Sequence, residues 1–495
     1  MPTEEIPVSD QKRIELALNA LGYEHATFPL KVLRKLYPLC RNAGFDITVT
    51  LVHREFDWVV TDVEAGDTTA HHYGLAVDYG STTIVMQLVN MNSGAVIGEE
   101  KAVSGQVAYG TDILTRITYA LESNRHTEDL QRATADTFRQ LLDQLTDATG
   151  IDARNLPIMI VSGNTTMIHF LLGLDAWTVF AAPYAPISTD PGFLWGNEVG
   201  MDFEGLLYVI PAASNYVGGD IVSGLMKLDL HKQDETSMFF DIGTNGELVI
   251  GNRDWLIAGA GAAGPALEGY ISKFGMRVAP GAVDSVKISG RDLSFTTIDH
   301  RQAVGICGSG IIDLLAQMRI AGWIDISGAL NPSASHRIQY LTEERKYAVV
   351  YAAAEESAAG SPLYFTQTDI HQYLDTKAAA YTMVDYLLES AGIEQKSLSH
   401  VYLSGAFPAH SDLESAITIG IFPDLPREKY SVLNNSSLDG ARTVLLDHSR
   451  LADAKCLAEN IYCVQFASVP DFLVRMQAAK FIPHTDLNRF PTVKI

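Results

Sequence analysis

The chain has 495 residues, with 59 Asp plus Glu against 36 Lys plus Arg, and its net charge of −23 repels nucleic acid and anionic lipid, which disfavours a DNA- or RNA-binding role. A hydrophobic content of 47%, a charged content of 19% and 39 glycines exclude a fibrous or disordered chain, and the length allows about two to four domains. There is no run of about 18 consecutive apolar residues and no signal-peptide run in MPTEEIPVSDQKR, so no membrane partner is predicted and the expected location is the cytoplasm.

Residues 9–43 read as two helices. Ser9 or Asp10 caps the first, and Leu30, Leu33, Leu36 and Leu39 recur along the second at helical spacing. The strand-like runs FDITVTLV and WVVTDV follow, joined by the polar turn HREFD, and complete a small α+β domain assigned to residues 1–72. From Tyr73 the pattern becomes strand, tight turn, strand, turn, strand: GLAVDYG, TIVMQLVNM and AVIGEEKAV, an antiparallel meander. Helical stretches fill residues 110–149, then the buried strand LPIMIVSGN leads into the helix TMIHFLLGL. Meander plus alternating helix and strand predicts a mixed α/β layer fold.

At Asp241, 163 residues beyond Asp78, SMFFDIGTNGELVIGN repeats the grammar of YGLAVDYGSTTIVMQLV: apolar strand, aspartate, glycine-bearing polar turn, second strand. The runs LPIMIVSGNTTM and SHVYLSGAFPAH echo one another in the same way. Internal duplication points to two similar lobes, placed at residues 73–215 and 216–495, the second carrying a polar, insertion-like stretch around 326–400 that is assigned only to packing or contact surface.

A turn rich in glycine and threonine directs backbone N–H groups and hydroxyls toward one point, which suits phosphate oxygens. A carboxylate beside it must act through a cation, and Mg²⁺ held by water and one or two carboxylates is the expected bridge. Two such turns would hold a triphosphate between them. One D-x-G-[ST]-T alone is more simply a capped hairpin turn; two in one chain, each closing an apolar strand, argue for nucleotide.

DYGSTT, DIGTNGE and LSGA resemble the phosphate-1, phosphate-2 and adenosine elements of the actin, sugar kinase and Hsp70 superfamily of ATPases. The longer strings YGLAVDYGSTT, VSGNTTMIHFLLGL, APYAP, YVGGDI, DIGTNGE, AAGPALEGYISKFGM, GICGSGIIDLL and VYLSGAF, in this order, resemble the ATPase region of the reductive activators of corrinoid proteins, from about residue 10 to the end. The resemblance implies an actin-like ATPase fold of two duplicated RNase H-like lobes, preceded by the small α+β domain. It implies that Asp78 and Asp241 position Mg²⁺, that Gly80, Ser81, Thr82, Thr83, Gly243, Thr244 and Asn245 cradle phosphates, and that Gly264, Gly405 and Ala406 line the nucleotide.

GICGSGIID has two readings: Gly308, Ser309 and Gly310 open a helix as an anion or nucleotide site, or they are small because helix and strand pack closely. Asp220 in YVGGDIVSG either orients the attacking water or caps the helix that follows. His169 is expected to be a satisfied core histidine, and Cys307 a packed thiol.

The resemblance further implies ATP-driven reduction of an inactive cobalt(II) corrinoid protein of a methyltransferase system to cobalt(I), and it is compatible with a homodimer. Such activators carry an N-terminal ferredoxin-like domain, and this chain begins where that domain would end. The four cysteines, Cys40, Cys307, Cys456 and Cys463, are scattered with no CxxC pair, so no disulfide framework or intrachain iron–sulfur cluster is expected. Either the ferredoxin-like domain has been removed from the sequence, or the electron comes from a separate donor such as a ferredoxin or flavoprotein, or the chain puts ATP to another use. The alternatives are a nucleotide-gated clamp or chaperone for a corrinoid protein, or a small-molecule kinase, since the fold serves phosphoryl transfer as well.

Overall fold

The computed structural model describes residues 7–243, 245–261, 269, 271–405, 408 and 410–494. The chain divides into two compact units, Met1–Leu228 with Ser437–Asn460, and Asp229–Ser436 with Ile461–Ile495. Two consecutive helices late in the sequence, Ser436–Leu446 and Arg450–Asn460, thus fall almost entirely in the first unit.

The first unit opens with the helices Asp10–Ala20 and Leu30–Asn42. The Ser9 side chain accepts the Lys12 N–H at 3.2 Å, a side-chain cap at the position expected. On the second helix the buried stripe is Val32, Leu36 and Cys40, while Leu30 is exposed. Steps of three residues fall about 60° short of a full turn each time, so the leucines Leu30 to Leu39 walk around the helix and the four-residue spacing defines the buried face. Both helices cover a sheet in the order Ala26–Thr27, Trp58–Ala65, Ile47–His53.

The main sheet of this unit has the order Val96–Val103, Thr83–Asn90, Tyr73–Tyr79, Ile158–Gly163, Leu206–Val209, Gly192–Trp195. The three meander strands are antiparallel, and Tyr73–Tyr79 runs parallel to Ile158–Gly163. Leu75, Val77, Met86, Leu88, Met159 and Val161 pack with Phe138, Leu141 and Leu145 of the long helix Asn124–Thr149 in one core.

The second unit repeats this plan. Its main sheet has the order Tyr430–Val432, His400–Ser404, Ser237–Ile242, Gly246–Gly251, Leu256–Gly261, Ile461–Val464. Here too an antiparallel meander is flanked, beside its first strand, by a parallel strand. The duplication read from the sequence is thus a duplication of strand order and direction for five of the six strands, the sixth lying at opposite edges in the two units, and the fold is the actin-like α/β ATPase fold. Among the described residues no helix is long and apolar enough to cross a membrane.

The stretch 326–400 is more than a polar insertion. It forms the sheet Ile338–Leu341, Lys346–Ala352, Leu363–Thr366 and then the helix Gln367–Ser390. Ile370, Tyr373, Leu374, Ala378, Tyr381, Val384 and Leu387 of that helix lie in the core of the unit. The polar run AAAEESAAGSP drew the reading toward an insertion, although the apolar periodicity of 370–388 follows it directly.

His484 packs near the C-terminal end of this unit, where its Nδ1 accepts the Asp486 N–H at 2.9 Å. Burial, together with the nearby Arg489 and Lys377 charges, pushes its pKa down to about 4. Between that value and the ordinary 6.5 the unfolded chain binds more protons than the folded one, so stability is complete above about pH 6.5 and is lost as pH falls toward 4. We expect denaturant titrations of the wild type to lose about 2 kcal/mol more between pH 7 and pH 5 than those of His484→Gln. Equal pH dependence of the two proteins would remove the histidine from the account.

Candidate functional site

Asp78 is the sixth residue of the strand Tyr73–Tyr79. The register pairs it with Val85 across the hairpin and with Ser162 on the parallel strand. The chain then turns through Gly80, Ser81 and Thr82, all half-buried, into the exposed Thr83. A Cβ at Gly80 would stand 2.6 Å from the Thr83 carbonyl oxygen, so the tightness of the turn requires glycine.

The Asp78 carboxylate is held from behind. Ser437 Oγ donates to its Oδ1 at 2.7 Å, Ser162 Oγ lies 2.9 Å from Ser437 Oγ, and Ser223 Oγ donates to Ser162 Oγ at 2.8 Å. All three serines are buried. A hydroxyl chain whose donor direction ends on a carboxylate stabilises the ionised acceptor and fixes its orientation. None of these serines was singled out from the sequence; Ser437 is 359 residues from Asp78. The one available signal was VSG at the end of a strand, repeated as LSG.

The second turn has the same construction. Asp241 closes the strand Ser237–Ile242 and pairs in register with Glu247 across the hairpin and with Ser404 on the parallel strand. Ser404 Oγ lies 2.7 Å from Ser436 Oγ, as Ser162 does from Ser437. The Gly243 N–H donates to the Asn245 carbonyl at 2.9 Å, and among the described residues a Cβ at Gly243 would meet nothing within 4 Å. Gly405 has φ +100°, and a Cβ there would be 2.2 Å from the Ile242 carbonyl; only glycine lets the strand end approach so closely. Thr244, Gly264 and Ala406 lie outside the described residues.

Asp220 is in the first turn of the helix Gly219–Leu228, inside it rather than at its cap, with Oδ1 accepting the Ile221 N–H at 2.9 Å. The preceding glycines bring this helix close to the strand bearing Ser162. A Cβ at Gly218 would be 2.5 Å from the Asn164 Cα, and one at Gly219 would be 2.4 Å from the Ile210 carbonyl. Asp220 therefore starts a helix tied to the Asp78 serine chain, since Ser162 Oγ also lies 3.2 Å from the Gly219 carbonyl.

Gly308, Ser309 and Gly310 open the helix Gly308–Ile320 and are buried. At Gly310 the contact is a packing contact. A Cβ at Gly310 would be 2.3 Å from the Val283 carbonyl, and Asp313 ties the helix to the adjacent strand by accepting from Ser285 Oγ at 2.8 Å and from the Val286 N–H at 3.3 Å. Cys307 is buried, with Sγ 3.3 Å from the Val283 carbonyl and 3.2 Å from Ser309 Oγ. His169 is the satisfied core histidine expected: Nδ1 is 2.7 Å from the Thr165 carbonyl, Nε2 accepts the Ile187 N–H at 3.2 Å, and burial lowers its pKa.

Among the described residues no cluster of three or more His, Cys, Asp or Glu could enclose a metal ion. The two turns instead offer a half-buried aspartate each, beside backbone and hydroxyl groups. Each turn by itself fits Mg²⁺, which is commonly held by one or two carboxylates and completes its shell with water and substrate phosphate.

Three consecutive family descriptions match the chain: the RACo linker region over residues 1–70, the RACo middle region over 73–233, and the C-terminal domain of RACo, the ASKHA domain, over 235–494. A solved structure titled reductive activator for corrinoid,iron-sulfur protein is 34% identical, with a TM-score of 0.87, covering 100% of this chain and 79% of that one. The corrinoid activation enzyme RamQ of Eubacterium limosum is 28% identical over 409 residues, 81% of this chain and 69% of RamQ. The [Co(II) methylated amine-specific corrinoid protein] reductase of Methanosarcina barkeri is 23% identical over 423 residues, 79% of this chain and 73% of the reductase. With its duplicated carboxylate turns on an ASKHA fold and family matches along nearly its whole length, the chain belongs to the RACo family, the reductive activators of corrinoid proteins.

Proposed function

We propose that this protein activates a corrinoid protein of a methyltransferase system by coupling hydrolysis of Mg·ATP to reduction of cobalt(II) to cobalt(I). The observation that carries the reading is the repeated pairing of a turn aspartate with a strand-end serine, Asp78 with Ser162 and Asp241 with Ser404, in a chain of this family. Asp78 and Asp241 orient the metal. Gly80, Ser81, Thr82 and Thr83 hold phosphate oxygens at the first turn, and Gly243 and Asn245 do so at the second. Gly405 leaves room for the nucleoside, and Asp220 orients the attacking water.

ATP matters because cobalt(II) is reduced only at very low potential. A nucleotide state that binds one conformation of the corrinoid protein more tightly than the other shifts that partner toward the form that accepts an electron. In this scheme ATP and water give ADP and phosphate, while one electron passes from a separate donor, such as a ferredoxin or flavoprotein, to cobalt. The four cysteines of this chain are dispersed, two buried and none in a CxxC pair, which supports an electron source outside this stretch of sequence.

Visible spectroscopy of a cobalt(II) corrinoid protein with a chemical reductant tests the reading. Addition of this protein and ATP is expected to raise the cobalt(I) band, and phosphate is expected to appear in the same sample. A cobalt(I) yield that does not depend on ATP overturns the proposal.

A further inference from the structure

The first phosphate turn is backed by a buried cation that the sequence did not bring forward. Arg116, on the helix Ile113–Leu121, is 0% exposed. Its Nη1 donates to the Ser81 carbonyl at 2.6 Å and to Gln106 Oε1 at 3.3 Å, and its Nε donates to the Gly110 carbonyl at 2.9 Å. Its Nη2 is buried and has no hydrogen-bond partner. Among the described residues no carboxylate forms a salt bridge with it: Asp112 acts on the guanidinium only from a distance and accepts from the Thr115 N–H at 2.8 Å and the Thr115 hydroxyl at 2.7 Å.

The surroundings are fixed. Gln106 Nε2 donates to Tyr79 Oη at 3.1 Å and to Thr134 Oγ1 at 2.7 Å, and Tyr79 Oη is 2.7 Å from Thr134 Oγ1. Tyr79 lies between Asp78 and Gly80, so this network supports the turn from inside the unit. A buried guanidinium with no anion in direct contact is disfavoured, and burial lowers the basicity of Arg116 although Asp112 offsets part of that effect. An arrangement that retains such a charge beside an anion-binding turn is explained if the missing anion is the ligand.

The direction of the contact to Ser81 adds a second argument. In a trans peptide the carbonyl and the following N–H point opposite ways. Arg116 draws the Ser81 carbonyl inward and so aims the Thr82 N–H away from the guanidinium. The Ser104 N–H does the same for the Thr82 carbonyl at 2.8 Å, turning the Thr83 N–H outward. Both peptide orientations of the turn are thus set by contacts from elsewhere in the unit, and oriented backbone N–H groups of this kind are what an anion-binding turn uses.

We infer that Arg116 is a positioning residue for the nucleotide's phosphates: it sets the peptide orientation of the first turn through the Ser81 carbonyl and supplies the positive charge behind it. This rests on the ATP-binding reading above. The expected signature is selectivity for charge. Arg116→Gln weakens ATP and ADP binding about tenfold or more, as for loss of one charge-assisted contact, while adenosine affinity stays within about twofold. Arg116→Lys, which keeps the charge, restores ATP affinity to within about threefold of the wild type.

Isothermal titration of wild type and both variants with adenosine, ADP and ATP, with circular dichroism to establish folding, makes the test. Equal loss of adenosine and ATP binding in Arg116→Gln, or no loss of either, overturns the inference and leaves ATP binding standing. A wild type that fails to bind ATP overturns both. Should Arg116→Gln not fold, ¹⁵N-arginine-labelled wild type decides: the Arg116 Nε–H resonance, identified by its absence in Arg116→Lys, is expected to move with ADP and ATP and not with adenosine. A resonance that ATP leaves unmoved overturns the inference.

Discussion

Asp78→Asn is expected to lower Mg²⁺-dependent ATP turnover roughly 100-fold, about 2.7 kcal/mol of lost transition-state stabilisation, and Asp241→Asn is expected to do the same. The substitution separates charge from structure. Asn retains a side-chain oxygen where Asp78 Oδ1 accepts from Ser437 Oγ at 2.7 Å, so the serine chain and the turn keep their anchor. What disappears is the negative charge that faces the cation in the proposed function, and Mg²⁺ binds few protein ligands, so losing one would be felt fully. Phosphate release at saturating ATP and Mg²⁺, with a thermal melt to show an intact fold, provides the check. Turnover by either variant at the wild-type rate removes that aspartate from the site.

The second large effect concerns stability. Lys377→Met is expected to destabilise the second unit by about 3 kcal/mol or more. The ammonium is fully buried and donates to the carbonyls of Ala479 at 2.6 Å, of Phe481 at 2.7 Å, and of Pro483. Burial pushes its pKa well below the usual lysine value, and three carbonyl acceptors match the three hydrogens of the charged form, offsetting part of that effect. Methionine fills a similar volume yet leaves all three carbonyls without their donor. Urea titration gives the magnitude, and limited proteolysis should show earlier cleavage after Phe472. A loss below about 1 kcal/mol would mean that the carbonyls find other partners.

The elements that matter for function were legible because they are local. An apolar strand, one aspartate, a glycine-bearing turn and a second strand occupy sixteen or so consecutive residues, and strand alternation and turn chemistry act over that range. Asp78, Gly80, Asp241 and Gly243 therefore stood out, and so did the duplication of the lobes. Ser9 as a cap and His169 as a core residue follow from equally short-range rules.

What escaped the sequence is what depends on distant partners. Leu30 looked equivalent to Leu36, yet only the sheet beneath decides which face of that helix is buried. Gly308 and Gly310 read equally as an anion site or as a close helix–strand contact, and only the strand Ala282–Ser289, remote in sequence, gives Gly310 its packing reason. Ser437 and Arg116 carry no motif; they matter through contacts with Asp78 and the Ser81 carbonyl. By itself the sequence determined two aspartate-bearing, glycine-containing turns on a duplicated α/β fold, because turn and strand signals are written within a few neighbouring residues. Only the tertiary structure decided what holds those turns in place, because a buried polar network exists only once remote segments meet and must satisfy one another's donors and acceptors.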